Sequence, residues 1–131
     1  MPVRLTEVIV DCHDLKRLAS FWCAALGYVR LNSGDGWLAI GPSGPEVTDQ
    51  ELIARPQPPN MAFVVVPEHK VGKNRVHIDV TPIEASQAEE VERLVGLGAT
   101  RTDIGQGDEA WVVMADPEGN EFCVMPELEA D

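Results

Sequence analysis

The chain says the same thing twice. Glu7–Val10 opens a strand, an apolar helical stripe follows, and the helix stops at Leu26-Gly27. His77–Val80 opens a strand again, and a second stripe stops at Leu97-Gly98. The two copies are offset by 70 residues at the strand and 71 at the helix end. Trp37 and Trp111 fall in the same element of each copy. A duplicated supersecondary unit constrains a fold more than any single motif, because each copy must meet the same packing demands.

Within each copy the order reads β-α-β-β-β. Residues 3–12, VRLTEVIVDC, form a Val/Ile-rich strand with Glu7, Ile9 and Asp11 on one face and Val8, Val10 and Cys12 on the other. A helix over about 14–26 carries Leu15, Leu18, Ala19, Trp22 and Leu26 on one stripe. Asp14 or Asp11 caps it, and Gly27 ends it. Tyr28–Leu31 and Trp37–Ile40 are strands joined through Gly34-Asp35-Gly36. Residues 41–60 hold five prolines and two glycines and read as a long loop, with the role of a lid. MAFVVV (61–66) closes the first copy as a buried strand.

In the second copy, RVHIDV (75–80) alternates Val76, Ile78 and Val80 against His77 and Asp79. Two capping boxes compete for the following helix, Thr81…Glu84 and Ser86…Glu89, and its stripe is Ala88, Val91, Leu94 and Val95. Gly105-Gln106-Gly107 is a turn, and Ala110–Ala115 a strand. Asp116-Pro117-Glu118-Gly119 has the residue order of a β-turn. The last strand then splits Phe122 and Val124 from Glu121, Cys123 and Met125.

Each helix stripe covers one face of its sheet and leaves the other to be covered. The expected architecture is therefore α+β, two tandem βαβββ modules forming a curved mixed sheet around a cleft. The whole chain, 1–131, reads as one domain, with module one at about 1–68 and module two at about 74–126. Net charge is −12, from 22 acidic and 10 basic residues, which repels a phosphate backbone and argues against nucleic acid. The tail Glu127, Glu129, Asp131 reads as a solvated end. No apolar run is long enough for a membrane span, and MPVRLTEVIV lacks the pattern of a signal peptide. Cys12, Cys23 and Cys123 lie in apolar-patterned segments without metal-finger spacing, as reduced cytoplasmic thiols would.

Three segments, DCHDLKRLASFWCAALGY (11–28), KNRVHIDV (73–80) and DPEGNEFCV (116–124), taken in order, resemble the vicinal oxygen chelate superfamily. That superfamily includes glyoxalase I, ring-cleaving dioxygenases, and fosfomycin- and bleomycin-resistance proteins. The resemblance spans nearly the whole chain and lies nearest the glyoxalase-like subgroup. It implies a cleft lined from four strands, a homodimer, and, in metal-using relatives, one ligand per cleft-facing strand. Those positions fall on Glu7, on Val64 or a neighbour, on His77 and on Cys123. The expected glutamate of the last strand instead stands two residues early, at Glu121.

That departure leaves several readings open. Glu7, His77 and Cys123 could hold a divalent metal, and the thiolate would suit Zn²⁺ better than Mg²⁺ or Mn²⁺. Without metal, Glu7 and His77 could act as an acid/base pair, or form a buried contact with no chemistry. Trp37, Phe63, Val64, Trp111, Glu121 and Met125 are the expected ligand-contacting residues, with core packing the alternative for the aromatics. His69, Lys70, Lys73 and Arg75 form a basic connector. Two functions follow: a lyase or isomerase moving a proton next to a carbonyl of a small substrate, or a non-catalytic binder of the bleomycin-resistance kind that sequesters a cationic small molecule.

Overall fold

The computed structural model describes residues 2–43, 47–102 and 110–128; the expected turn at Gly105-Gln106-Gly107 and the tail residues Glu129 and Asp131 lie outside them. The chain divides into two compact units, residues 1–68 and 69–131.

In the first unit, β1 (Glu7–Cys12) leads into α1 (Leu15–Leu26), then β2 (Val29–Gly34), β3 (Trp37–Gly41), a short α2 (Asp49–Ala54) and β4 (Asn60–Val65). The sheet order is β1-β4-β3-β2. β1 and β4 are parallel, and the remaining pairs are antiparallel. α1 begins where expected. The Asp14 carboxylate accepts the Arg17 N–H at 3.1 Å, and Gly27 takes the left-handed conformation that ends the helix. Its buried side chains are Leu18, Ala19, Phe21 and Trp22, and it packs on β2, β3 and β4. Phe21 meets Trp22 edge to face, so both are core aromatics.

Residues 41–60 are not the featureless loop the prolines suggest. Thr48 accepts the Glu51 N–H at 3.1 Å and starts α2. The T-x-x-E spacing carried that signal, but proline density masked it. Residues 44–46 of this stretch lie outside the described residues. β2 also runs longer than expected, through a register shift between Arg30 and Ser33.

The second unit repeats the topology. β5 (Ile78–Val80), α3 (Gln87–Leu97), β6 (Thr100–Arg101), β7 (Val112–Ala115) and β8 (Glu121–Val124) form a sheet in the order β5-β8-β7-β6. β5 pairs with β8 in parallel, as β1 does with β4. The fold is thus α+β, with two four-stranded mixed sheets built from tandem βαβββ modules. Of the two capping boxes, Ser86…Glu89 starts α3: Ser86 Oγ accepts the Glu89 N–H, and the Glu89 carboxylate accepts the Ser86 N–H. Glu127, expected to be solvated, accepts the Gln87 N–H at the same helix end. Val91 and Leu94 are the buried core of the stripe, while Ala88 and Val95 are exposed.

Two strand limits differ from the sequence reading. β5 spans only Ile78–Val80, so His77 precedes the ladder and Val76 is 75% exposed rather than helix-facing. β7 starts at Val112, which leaves the half-buried Trp111 just ahead of it. The β7–β8 turn forms as its residues dictate. The Gly119 N–H donates to the Asp116 carbonyl, and the buried Asp116 carboxylate accepts the Glu118 and Asn120 N–H groups.

Candidate functional site

In the first unit, strand register sorts the side chains into two faces. Ile9 stands opposite Ala62, which stands opposite Ala39. Glu7 pairs with Asn60, Asp11 with Val64, and Val64 with Trp37. All of these share the face turned from α1. Leu38, Ile40, Met61 and Phe63 occupy the α1 side and are buried. Phe63, expected to contact ligand, is 0% exposed on that side and is a core residue. Adjacent strand positions point to opposite faces, so Val64 and Phe63 cannot both serve a ligand.

What remains on the free face is an apolar platform with an acidic rim. Ile9 is 60% exposed and Trp37 38%. Ala39 and Ala62, which share this face, are small and buried. Glu7 and Asp11 are exposed on β1 beside Ile9. The indole of Trp37 lies over Gly34, its cross-strand partner: a Cβ on Gly34 would sit 2.3 Å from Trp37 Nε1. Only glycine lets the ring rest there.

The second unit gathers the polar groups. On β8, Glu121 and Cys123 share a face with Asp79 of β5 and Val113 of β7. Cys123 is 7% exposed. Burial pushes its thiol above the ordinary value, and the Asp79 carboxylate, hydrogen-bonded to it from the facing register position, pushes it further. A thiol so placed donates to Asp79 and resists becoming a thiolate.

Glu121 is also buried, and both carboxylate oxygens are engaged. Oε1 takes the Lys70 ammonium at 3.1 Å, and Oε2 takes the Asn74 N–H at 3.1 Å. Burial would raise its pKa. The Asn74 N–H, its own backbone N–H and Lys70 outweigh that and hold the carboxyl below its usual value. Glu121, expected at the ligand, is thus committed to the segment that leads into β5. Lys70 also donates to the Gly72 carbonyl. The same segment holds His77, whose Nε2 lies 2.6 Å from the Asn74 carbonyl oxygen. A carbonyl only accepts, so Nε2 carries the proton, and Nδ1 is the nitrogen with a lone pair to offer. Met125 is half-buried and extends the β5–β8 pairing through its N–H to the Val80 carbonyl.

Glu7 belongs to the first unit, and His77 and Cys123 to the second. The chemistry of these residues was visible in the sequence. The commitment of Glu121 was not, because Lys70 and Asn74 lie 51 and 47 residues away.

Two modules, each with its first strand parallel to its last, define the vicinal oxygen chelate class of fold. The chain belongs to the glyoxalase-like domain family, which matches residues 7–125. Solved structures agree on the fold. A glyoxalase/bleomycin resistance protein/dioxygenase family enzyme from Burkholderia phytofirmans PsJN is 16% identical with a TM-score of 0.59, over 93% of this chain and 97% of that one. A possible glyoxalase from Bacillus cereus is 14% identical with a TM-score of 0.60, over 95% and 99%. A fosfomycin resistance protein from Listeria monocytogenes, complexed with Mn(II) and a dihydroxypropylphosphonic acid, is 14% identical with a TM-score of 0.64, over 98% and 93%. No curated protein sequence matches the chain. Among the described residues, no helix is long and apolar enough to cross a membrane.

The superfamily relative with Mn(II) raises the question of a metal here, and among the described residues the donor set does not fit one. Val64 and Ala62, on the free face of β4, carry no donor atom. The Cys123 thiol is held protonated by burial and Asp79. Both Glu121 oxygens are already bonded. Among the described residues, no group of three or more His, Cys, Asp or Glu side chains is assembled to hold a metal ion.

Proposed function

We propose that the protein binds a small cationic organic molecule and sequesters it, in the manner of the non-catalytic branch of its superfamily. The observation that carries this reading is the set of exposed side chains on one face of the first sheet. Trp37 and Ile9 present apolar area that an isolated monomer would ordinarily cover, with Glu7 and Asp11 at its edge. A flat, positively charged ligand would gain stacking and cation–π attraction from the indole and Coulomb attraction from the carboxylates. Val64 would pack beneath it, and the rest of a chain carrying −12 would draw it in. In this reading the protein works as a cytoplasmic homodimer, without nucleic acid or membrane partners. Titration with metal-free bleomycin, followed by tryptophan fluorescence and calorimetry, tests it. Saturable binding that Trp37→Leu abolishes is expected. No binding at high micromolar concentration defeats the proposal.

A second reading is catalysis, and one observation favours it: His77 is held with Nδ1 as its basic nitrogen. An imidazole so fixed can take a proton from a carbon next to a carbonyl and return it elsewhere, as a lyase or isomerase requires. Exchange of the α-proton of small carbonyl compounds into deuterated solvent, lost in His77→Ala, is the measurement. Absence of exchange above buffer rate excludes this reading.

A further inference from the structure

Three hydrogen bonds in the second unit run in series. The Glu121 carboxylate accepts the Asn74 N–H at 3.1 Å, and the Asn74 carbonyl accepts the His77 Nε2–H at 2.6 Å. Lys70 Nζ closes on the other Glu121 oxygen at 3.1 Å. The two ends of Asn74's backbone are thus gripped from opposite sides, one by a carboxylate and the other by an imidazole.

We propose that Glu121 is the positioning residue for His77. It acts through the Asn74 backbone to fix the imidazole's orientation and tautomer, so that Nδ1 is the nitrogen presented for chemistry or for a ligand. This deepens the catalytic reading above and rests on it for its functional meaning, although the geometry stands without it.

His77 sits outside the sheet ladder. It lies one residue before β5, so no ladder bond of that strand fixes its backbone. The segment before it, 66–77, contains no helix or strand. Such a segment holds one conformation only if specific groups replace the missing ladder. Glu121 is suited to do so because it stands at the start of β8, paired with Ala115 of β7. It is also ionised, and a carboxylate accepting a backbone N–H makes a stronger bond than a neutral acceptor does. Lys70 balances the buried charge, which would otherwise disfavour the ionised carboxylate. The Asn74 N–H and carbonyl belong to successive peptide groups joined at its Cα, so the carboxylate acts by fixing the backbone conformation there. With the backbone so fixed, the Asn74 carbonyl at 2.6 Å admits only a donor.

Positions 121 and 123 share a face of the last strand but meet different neighbours. At Cys123 the register partner is Asp79, and a carboxylate there would face another one. At Glu121 it faces the loop that carries Asn74 and His77.

Proton NMR of the intact protein reads this directly. A hydrogen-bonded imidazole N–H exchanges slowly enough with water to be observed, and a free one does not. The wild-type protein is expected to show the His77 Nε2–H and a protected Asn74 amide. In Glu121→Ala both signals should be lost together. The Nε2–H of His13, which donates to the Glu68 carbonyl in the other unit, should persist as an internal reference. Lys70→Ala should keep the His77 signal, because Asn74 still reaches Glu121. Where Glu121→Ala fails to fold, Glu121→Gln decides. It keeps the volume but loses the charge and one acceptor, so the His77 Nε2–H should exchange at least tenfold faster. An unchanged His77 signal in a folded Glu121 variant overturns the proposal. So does loss in Lys70→Ala equal to that in the Glu121 variants. The exchange measurement needs no substrate. Failure of the α-proton assay with the hydrogen-bond result intact would therefore remove the catalytic reading alone.

Discussion

At the scale of single residues, the chain places its most informative side chains where a neighbour's chemistry restricts them. Cys123 is the plainest case. Its pKa is raised by burial and by the Asp79 carboxylate that accepts its proton. A group with a raised folded-state pKa stabilises the fold fully below its unfolded value, and that contribution is lost as pH rises through the folded one. Stability should therefore fall as pH climbs above the thiol's ordinary value of 9.0. Asp79→Asn should lower the thiol's pKa and speed its alkylation at pH 8, measured by iodoacetamide labelling and mass spectrometry; an unchanged rate would mean that the Asp79 charge does not reach the sulfur. Gly34 offers the second residue-scale test. Its missing Cβ makes room for the Trp37 indole. Gly34→Ala should displace the ring and cost about 1–3 kcal/mol, the usual range for overpacking. It should also shift tryptophan emission, a change that Trp37→Leu would remove.

At the scale of elements, the sequence was most legible where a local rule acts alone. The Asp116–Gly119 turn, the Asp14 cap and the Gly27 stop each depend on residues within a few positions, and each forms as read. The alternation in β8 was equally legible, because Phe122 and Val124 need a helix-covered face that Glu121 and Cys123 cannot share. What failed was any reading that depended on a competitor for the same segment. Two capping boxes preceded α3, and local chemistry could not rank them. Ser86 won, with Glu127 adding a long-range acceptor at the same helix end. In β5 the alternation of Val76 with Ile78 suggested a longer strand. The Asn74–Glu121 and Asn74–His77 bonds instead hold the backbone out of the ladder. α2 was hidden by the prolines on both sides of it. The cap is testable: Ser86→Ala should destabilise the fold by about 0.5–2 kcal/mol in urea denaturation. Thr81→Ala, at the unused box, should change nothing measurable.

At the scale of the molecule, duplication explains both the clarity of the fold and the obscurity of the site. Each copy must close a four-stranded sheet with its first strand parallel to its last, and that requirement preserved the apolar pattern in both. It placed no demand on the faces turned from the helices, and there the copies have diverged. The first unit's face carries Ile9, Trp37 and two exposed carboxylates. The second carries a carboxylate and a thiol that are already bonded. Periodicity could assign residues to these faces, but it could not show which polar groups were already committed. Charge acts at this scale as well. With −12 on the whole chain, a cationic ligand should associate faster at low ionic strength, and its affinity should fall as salt rises. The general field and the local pair Glu7 and Asp11 can be separated. Neutralising both as Glu7→Gln and Asp11→Asn removes two of the 22 acidic residues, a small change in total charge. If the ligand lies against Ile9 and Trp37, that change should nonetheless weaken binding about tenfold or more at low salt and flatten the salt dependence, since charges in contact count for far more than distant ones. Neutralising two exposed acids of the second unit, Glu84 and Glu92, changes the total charge equally and should leave the affinity within about twofold of wild type, because charges that do not touch the ligand are screened. Calorimetric titration across a salt series decides the matter: equal effects from the two pairs would move the ligand off the first sheet.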